Sequence, residues 1–203
     1  MDDDTVRQWQ CCWTRIVVGG IEPMDTMRAA SIAFVGDLDD EVDQVAVVSY
    51  SSSASSPIEQ TLTNSFALAT NAISAVSAPG GYTNIGDGLD KVIEELSSGR
   101  AQESSVKIII LLSDGEPTCR SDGSCGSSSS IKNAGRDYAR LKADEADSNN
   151  FIIHTISLGN GPDRPLMQDI ANRASGSEFF AESGSSLPQV FESVRESIPV
   201  RLA

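Results

Sequence analysis

A strand-like segment at positions 106–112, apolar throughout except for Lys107, constrains the fold of this chain more than any other feature. It reads Val-Lys-Ile-Ile-Ile-Leu-Leu and ends at Ser113-Asp114-Gly115. Continuous, β-branched runs of this length are typical of strands that are covered on both faces, as in parallel sheets. Similar runs at 45–49 and 151–158 predict two further buried strands.

Apolar residues recur with helical spacing between these strands. We predict helices over residues 24–38, 66–76, 89–96, 131–147, 166–174 and 187–198, an edge strand over 58–62 and a short strand over 178–181. This alternation predicts a three-layer α/β fold, a doubly wound, mostly parallel sheet with helices on both faces. Ligands of such sheets bind at the carboxyl ends of the strands, which directs attention to Asp114, Gly159 and the loop that contains Thr83.

The first 22 residues show neither helical nor strand periodicity. We therefore predict an irregular N-terminal segment over 1–22, which could replace the first strand, and one domain over 23–203. A short strand at 16–18, Ile-Val-Val, is the candidate element within that segment. A length of 203 residues is enough for one full-sized domain with a buried core.

Composition argues against two classes of function. The formal net charge is −14, and the sequence contains no cluster of lysines and arginines, so binding to the phosphate backbone of nucleic acids is not expected. No stretch approaches the roughly 20 apolar residues that a membrane helix requires. The acidic start, Met1-Asp2-Asp3-Asp4, lacks the cationic region of a signal peptide.

No catalytic arrangement is evident in the sequence. There is no Gly-x-Ser-x-Gly nucleophile elbow after a strand, no Walker-type phosphate loop and no Cys-x-x-Cys pair. The single histidine, His154, lies within a strand-like run, where a structural role is expected rather than a role as a general base. We therefore predict that the chain is not an enzyme.

Two residues could hold a hard cation. Asp114 follows the buried strand, and Thr83 follows a pair of glycines, so each offers an oxygen ligand of the kind that Mg²⁺ prefers. Each also has an ordinary explanation. Asp114 could be a turn aspartate before glycine, and Thr83 or Asn84 could cap the helix that follows.

A polar loop over residues 120–130 leaves the same strand end as Asp114. Its Asp122 and serines could add oxygen ligands or contact a partner, and they could equally form a solvated surface loop. Cys119 and Cys125 bracket the first part of this loop. They could form a disulfide in an oxidising compartment or remain two exposed thiols.

Three segments together resemble the von Willebrand factor A (vWA) domain family. They are residues 24–50, the threonine loop 81–89, and 107–118, which contains Leu-Ser-Asp-Gly-Glu-Pro-Thr. The resemblance runs from about Pro23 to about Ile198. It implies a Rossmann-like doubly wound sheet with a metal-ion-dependent adhesion site at its top, and a protein-binding or adhesion-type function.

In that family, five oxygen-bearing residues build the adhesion site. An Asp-x-Ser-x-Ser cluster follows the first strand, a threonine comes from a middle loop, and an aspartate follows the fourth strand. A carboxylate of the binding partner often completes the shell of the metal. The resemblance assigns Thr83 to the threonine and Asp114 to the second aspartate.

The chain departs from the family before its first long helix. There it reads Ile-Val-Val-Gly-Gly-Ile-Glu-Pro over 16–23, without an Asp-x-Ser-x-Ser cluster, and residues 14–18 would have to supply the family's central first strand. The remaining site offers Thr83 and Asp114, with Glu22 or Asp25 nearby. Few fixed anionic ligands then offset the reluctance of Mg²⁺ to lose water, so we expect Mg²⁺ to be held weakly or not at all.

Several functional hypotheses remain. We favour a bacterial-style surface or secreted adhesion module that binds a protein ligand, whose carboxylate could complete a partial metal site. The alternatives are an intracellular vWA domain that acts with an ATPase complex and a truncated family member without metal function. A hydrolase that uses Asp114 is the least favoured. A disulfide between Cys119 and Cys125 would favour the surface protein, for which we expect an extracytoplasmic location of the full-length protein, and free thiols would favour the ATPase partner.

Overall fold

The computed structural model describes residues 7–14, 22–77 and 81–198, with residues 7–14, 22 and 23 described by their backbone alone. The described strands are β1 (Arg7–Thr14), β2 (Val45–Tyr50), β3 (Gln60–Thr63), β4 (Val106–Ser113), β5 (Ile152–Leu158) and β6 (Glu178–Ala181). The described α-helices are α1 (Glu22–Gly36), α2 (Phe66–Ala75), α3 (Ile85–Leu96), α4 (Ser129–Ser148), α5 (Arg164–Arg173) and α6 (Leu187–Ser197).

These strands form one sheet in the order β3-β2-β1-β4-β5-β6. Neighbouring strands are parallel except at the β3 edge, where β3 runs antiparallel to β2. The predicted fold class, a doubly wound and mostly parallel α/β sheet, is therefore confirmed. Because the sheet is parallel around its centre, the carboxyl ends of β1, β4 and β5 all lie at one edge.

Two apolar cores cover the opposite faces of this sheet. One contains residues of α1, α2 and α6, and the other contains residues of α3, α4 and α5. Along β4, Ile108, Ile110 and Leu112 enter the first core, whereas Ile109 and Leu111 enter the second. Burial of both faces explains why this strand is a continuous apolar run, since each fully buried side chain contributes roughly 1.5–3 kcal/mol.

The N-terminal segment differs from the sequence prediction. Arg7–Thr14 form β1, which pairs in parallel with β2 on one side and β4 on the other. The prediction of an irregular segment is therefore wrong for Arg7–Thr14, and these residues, not 14–18, fill the central place in the sheet. The reason is tertiary: two neighbouring strands bond the backbone groups of β1, which outweighs a weak local pattern. The predicted strand at 16–18 lies outside the described residues, and the domain boundary at 22/23 stays a prediction.

Side-chain caps set the starts of the helices that surround the carboxyl edge of the sheet. The Asn84 side chain accepts a hydrogen bond from the Asp87 amide at 3.2 Å, so Asn84 rather than Thr83 caps α3. In the same way, Ser128 caps α4 and Asp163 caps α5. The Thr83 hydroxyl is thereby left without a capping role.

His154 is a buried residue of β5, as expected for a structural histidine. Its side chain is 3% exposed, and the Ser177 amide donates to Nδ1 at 3.2 Å. Nε2 has no hydrogen-bond partner among the described residues. Burial therefore lowers the pKa of His154 to about 4, because the charged imidazolium would lose its hydration.

This low pKa predicts acid sensitivity of the fold. The unfolded chain binds a proton at His154 below about pH 6.5, whereas the folded chain resists it down to about pH 4. Relative to a His154→Asn variant, the wild type should lose about 1.4 kcal/mol of unfolding free energy per pH unit across that window. Urea unfolding at pH 7.5, 6 and 5 measures this, and a difference between the two proteins that does not change with pH would contradict it.

Candidate functional site

Thr83 and Asp114 line the same pocket at the carboxyl edge of the sheet. Asp114 is the first residue after β4, and Thr83 lies two residues before α3. The pocket has a volume of about 380 Å³. Its described lining consists of Gly81, Tyr82, Thr83, Asp114, Gly115, Glu116, Thr118, Ser127 and Gly161. The two residues that the sequence singled out are thus brought together by the fold.

Asp114 is a partly buried carboxylate without a compensating charge from the described side chains. Burial raises its pKa to about 6, and a hydrogen bond from its own backbone amide lowers it by less. The basic residues at this pocket pair with other carboxylates: Lys132 and Arg136 pair with Glu116, and Arg136 also pairs with Asp163. The pocket therefore holds one neutralised carboxylate, Glu116, and one that is not neutralised, Asp114.

Close backbone contacts fix the position of Asp114. A Cβ atom on Gly161, in the loop after β5, would lie 2.1 Å from the Asp114 carbonyl oxygen, so a residue with a side chain would have to displace this loop. A Cβ atom on Gly115 would lie 3.1 Å from the Thr83 hydroxyl. These glycines let the loops after β4 and β5 and the threonine loop approach one another closely.

The backbone of Thr83 is held from both sides. Its amide donates to Thr118 Oγ1 at 2.7 Å, and the Thr118 amide donates to the Thr83 carbonyl at 2.8 Å. On the other side, the Asn84 amide donates to the Ser51 carbonyl at 2.7 Å. Thr83 itself is 9% exposed, with its hydroxyl close to Gly115 at the pocket.

The loop over residues 120–130 contributes fewer residues to the pocket than the sequence allowed. Cys119 and Cys125 form a disulfide, which decides between the two states left open for these cysteines. Asp122 is exposed, and its carboxylate accepts a hydrogen bond from the Ser124 amide at 2.8 Å. It is not among the described residues that line the pocket, whereas Ser127 is.

The other acidic candidates do not complete a metal cluster. Asp25 pairs with Arg28 at 2.7 Å on α1, and the side chain of Glu22 lies outside the described residues. Over the described part of the chain, no group of three or more His, Cys, Asp or Glu side chains could hold a metal. Residues 15–21, which connect β1 to α1, read Arg-Ile-Val-Val-Gly-Gly-Ile and contain no side-chain oxygen.

Four lining residues, Tyr82, Glu116, Thr118 and Gly161, were not singled out individually from the sequence. Tyr82, 43% exposed, lies on the pocket, and Glu116, Thr118 and Gly161 complete parts of its wall. Thr118 ends the Leu-Ser-Asp-Gly-Glu-Pro-Thr segment, so its place in that motif was a usable signal. Gly161 lies in an ordinary turn, a pattern that did not indicate a site, whereas Ser127 belongs to the loop whose serines the sequence offered as possible oxygen ligands.

Comparison with known proteins identifies the family. A family model described as the von Willebrand factor type A domain matches residues 19–193. An uncharacterized protein of Synechocystis sp. is 26% identical over 170 residues, which cover 84% of this chain and 36% of the relative. The chain thus spans about a third of the length of that curated relative.

Solved structures share the fold. The PilB minor pilin from Streptococcus sanguinis superposes with a TM-score of 0.74 and 18% identity, covering 97% of this chain and 62% of the pilin. Proximal thread matrix protein 1 from the mussel byssus, with a zinc-occupied MIDAS motif (the metal-ion-dependent adhesion site), gives 0.72 and 19%, covering 94% of this chain and 47% of that protein. At these identities the likeness shows the fold alone.

The raised pKa of Asp114 predicts a stability cost at neutral pH. A carboxyl whose folded pKa lies above its unfolded value stabilises the fold only when protonated, so the contribution is lost as the pH rises through about 6. In buffer with EDTA at pH 8, Asp114→Asn should raise the unfolding free energy by roughly 2 kcal/mol, allowing for partial exposure. The gain should disappear below about pH 4.

Asp169→Asn is the matched control for this measurement. Hydrogen bonds from Arg140 and Arg173 lower the pKa of Asp169, so this substitution should destabilise the fold at pH 8. Chemical denaturation of both variants at pH 8 and pH 4 gives the comparison. Destabilisation by Asp114→Asn at pH 8 would show that the Asp114 charge is compensated in solution.

Proposed function

Because this chain belongs to the von Willebrand factor type A family, we propose that it is an adhesion-type protein-binding module that contacts its partner at the pocket shared by Thr83 and Asp114. The observation that carries the proposal is that these two oxygen-bearing side chains line one open pocket. They lie at the carboxyl edge of a doubly wound sheet, where such folds bind ligands. Domains of this family are generally interaction modules without catalytic activity.

A divalent cation such as Mg²⁺ fits the donor set in part. Asp114 would supply a carboxylate and Thr83 a hydroxyl, both of which are hard oxygen ligands. The raised pKa of Asp114 supports this assignment, since a partly buried carboxylate without a compensating charge is stabilised by a bound cation. Two fixed protein ligands hold Mg²⁺ weakly, so the affinity is low until a partner contributes a ligand.

The cation would supply positive charge at an otherwise acidic surface. A carboxylate of the partner protein is then the complementary group, because it would neutralise the charge of a cation that Thr83 and Asp114 would hold. Partner binding and cation binding support each other in this arrangement. The formal charge of −14 opposes nucleic acid as the partner.

A binding role fits the pocket better than catalysis. No histidine or cysteine is among its described lining residues, so these offer neither an imidazole general base nor a thiol nucleophile. His154 lies in the core with a lowered pKa. We therefore propose binding rather than catalysis as the role of this pocket.

The disulfide supports a surface or secreted location. Disulfides persist in oxidising compartments and are rare in the reducing cytosol. The Cys119–Cys125 bond therefore favours an extracytoplasmic adhesion module over a partner of an intracellular ATPase complex. None of the described helices has the length and apolar character needed to cross a membrane.

Calorimetric titration with Mg²⁺ and Mn²⁺ tests the cation site. We expect weak, saturable binding to the wild type, no binding to Asp114→Ala and weaker binding to Thr83→Ala, because these substitutions remove the two protein ligands. Asp147→Ala, at an exposed position on α4, is the matched control and should bind like the wild type. Absence of saturable heat in the wild type would make the chain a metal-free scaffold.

Selection of random displayed peptides tests the partner contact. Peptides that bind the immobilised domain in Mg²⁺ should be enriched in Asp or Glu, and should be released by EDTA. They should not bind Asp114→Ala, while Asp147→Ala should retain them. Peptides that bind equally well in EDTA and to Asp114→Ala would place the contact surface away from this pocket.

A further inference from the structure

Two hydrogen bonds to a single residue, Thr118, connect Thr83 of the threonine loop to the segment that contains Asp114. We propose that Thr118 is the positioning residue of the ligand pocket, which fixes Thr83 relative to Asp114. The consequence for cation affinity rests on the proposed function, whereas the positioning itself does not.

The Thr83–Thr118 contact is reciprocal. The Thr83 amide donates to Thr118 Oγ1 at 2.7 Å, and the Thr118 amide donates to the Thr83 carbonyl at 2.8 Å. Both backbone polar groups of Thr83 are therefore bonded to one residue. Thr118 follows Asp114 by four positions on the same connection between β4 and α4. This pair of hydrogen bonds ties the two predicted ligands together.

Thr118 is itself held firmly. The Gly126 amide donates to the Thr118 carbonyl at 2.9 Å, and the Cys119–Cys125 disulfide closes the loop between them. A Cβ atom on Gly135 would lie 2.7 Å from the Cys119 carbonyl oxygen, so α4 packs directly against this backbone. Cys119 is 1% exposed. Helix α4 and the disulfide-closed loop thus hold the Thr118 hydroxyl, which accepts the hydrogen bond from the Thr83 amide.

A hydroxyl is required at this position because the bond uses Oγ1 as an acceptor. Valine has the same shape as threonine without the oxygen, so Thr118→Val would leave the Thr83 amide without its acceptor. Serine keeps the oxygen and loses only a methyl group. Ligand sites depend on geometry held to about 0.5 Å, and loss of a supporting hydrogen bond typically weakens metal binding about 10–100-fold.

The test compares Thr118→Val with Thr118→Ser, and with Thr70→Val as a control for the same substitution on α2. In EDTA, amide hydrogen exchange at Thr83 should accelerate at least about tenfold in Thr118→Val, and the rate should return to that of the wild type in Thr118→Ser. The affinity for Mn²⁺ should follow the same order, with a loss of about tenfold or more in Thr118→Val. Thr70→Val should change neither.

Two outcomes would overturn the proposal. One is unchanged exchange at Thr83 in Thr118→Val, and the other is unaltered Mn²⁺ affinity in that variant while the wild type binds Mn²⁺. If the wild type binds no Mn²⁺, the proposed cation site fails, and exchange at Thr83 alone then supports or overturns the positioning role. Exchange of the Ala139 amide on α4 checks that the fold is intact, and Thr118→Ala replaces the valine variant if that variant does not fold.

Discussion

β4 lies between β1 and β5, and the position of both apolar cores depends on its hydrogen bonds with these two parallel strands. Its side chains enter both cores in alternation, so a shift of one residue would move every one of them to the wrong face. The register of β4 is therefore strongly specified. It places Asp114 at the edge where β1 and β5 also end, and it brings Gly161 against the Asp114 carbonyl.

The pocket at this edge combines a firmly held backbone with an electrostatic imbalance. Hydrogen bonds and close glycine contacts hold the loops that carry Thr83 and Asp114, so the two side chains do not depend on each other for their positions. Lys132 and Arg136 neutralise Glu116 and leave Asp114 without a compensating cation among the described residues. Perturbed carboxylates of this kind concentrate at functional sites, where an unfavourable burial is retained for binding.

Most of the fold could be predicted from local patterns, because buried strands and amphipathic helices leave a clear periodicity. The central strand β1 could not, since Arg7–Thr14 read as polar and aromatic residues whose pairing is supplied by β2 and β4. For the site, the motif resemblance singled out Thr83 and Asp114, and the structure places both in one pocket. The neutralisation of Glu116 by residues of α4 and the approach of Gly161 depend on contacts between distant segments, which a linear pattern does not contain.

The partial burial of Asp114 also links the pocket to the acidity of its surroundings. A carboxyl that titrates near pH 6 changes its protonation state within the range of natural environments, whereas an ordinary surface aspartate stays charged. Protons and metal ions compete for the same oxygen atoms, so the effective concentration of the cation-accepting form falls about tenfold for each pH unit below that point. A cation-dependent contact built on this residue would therefore weaken as its surroundings become more acidic.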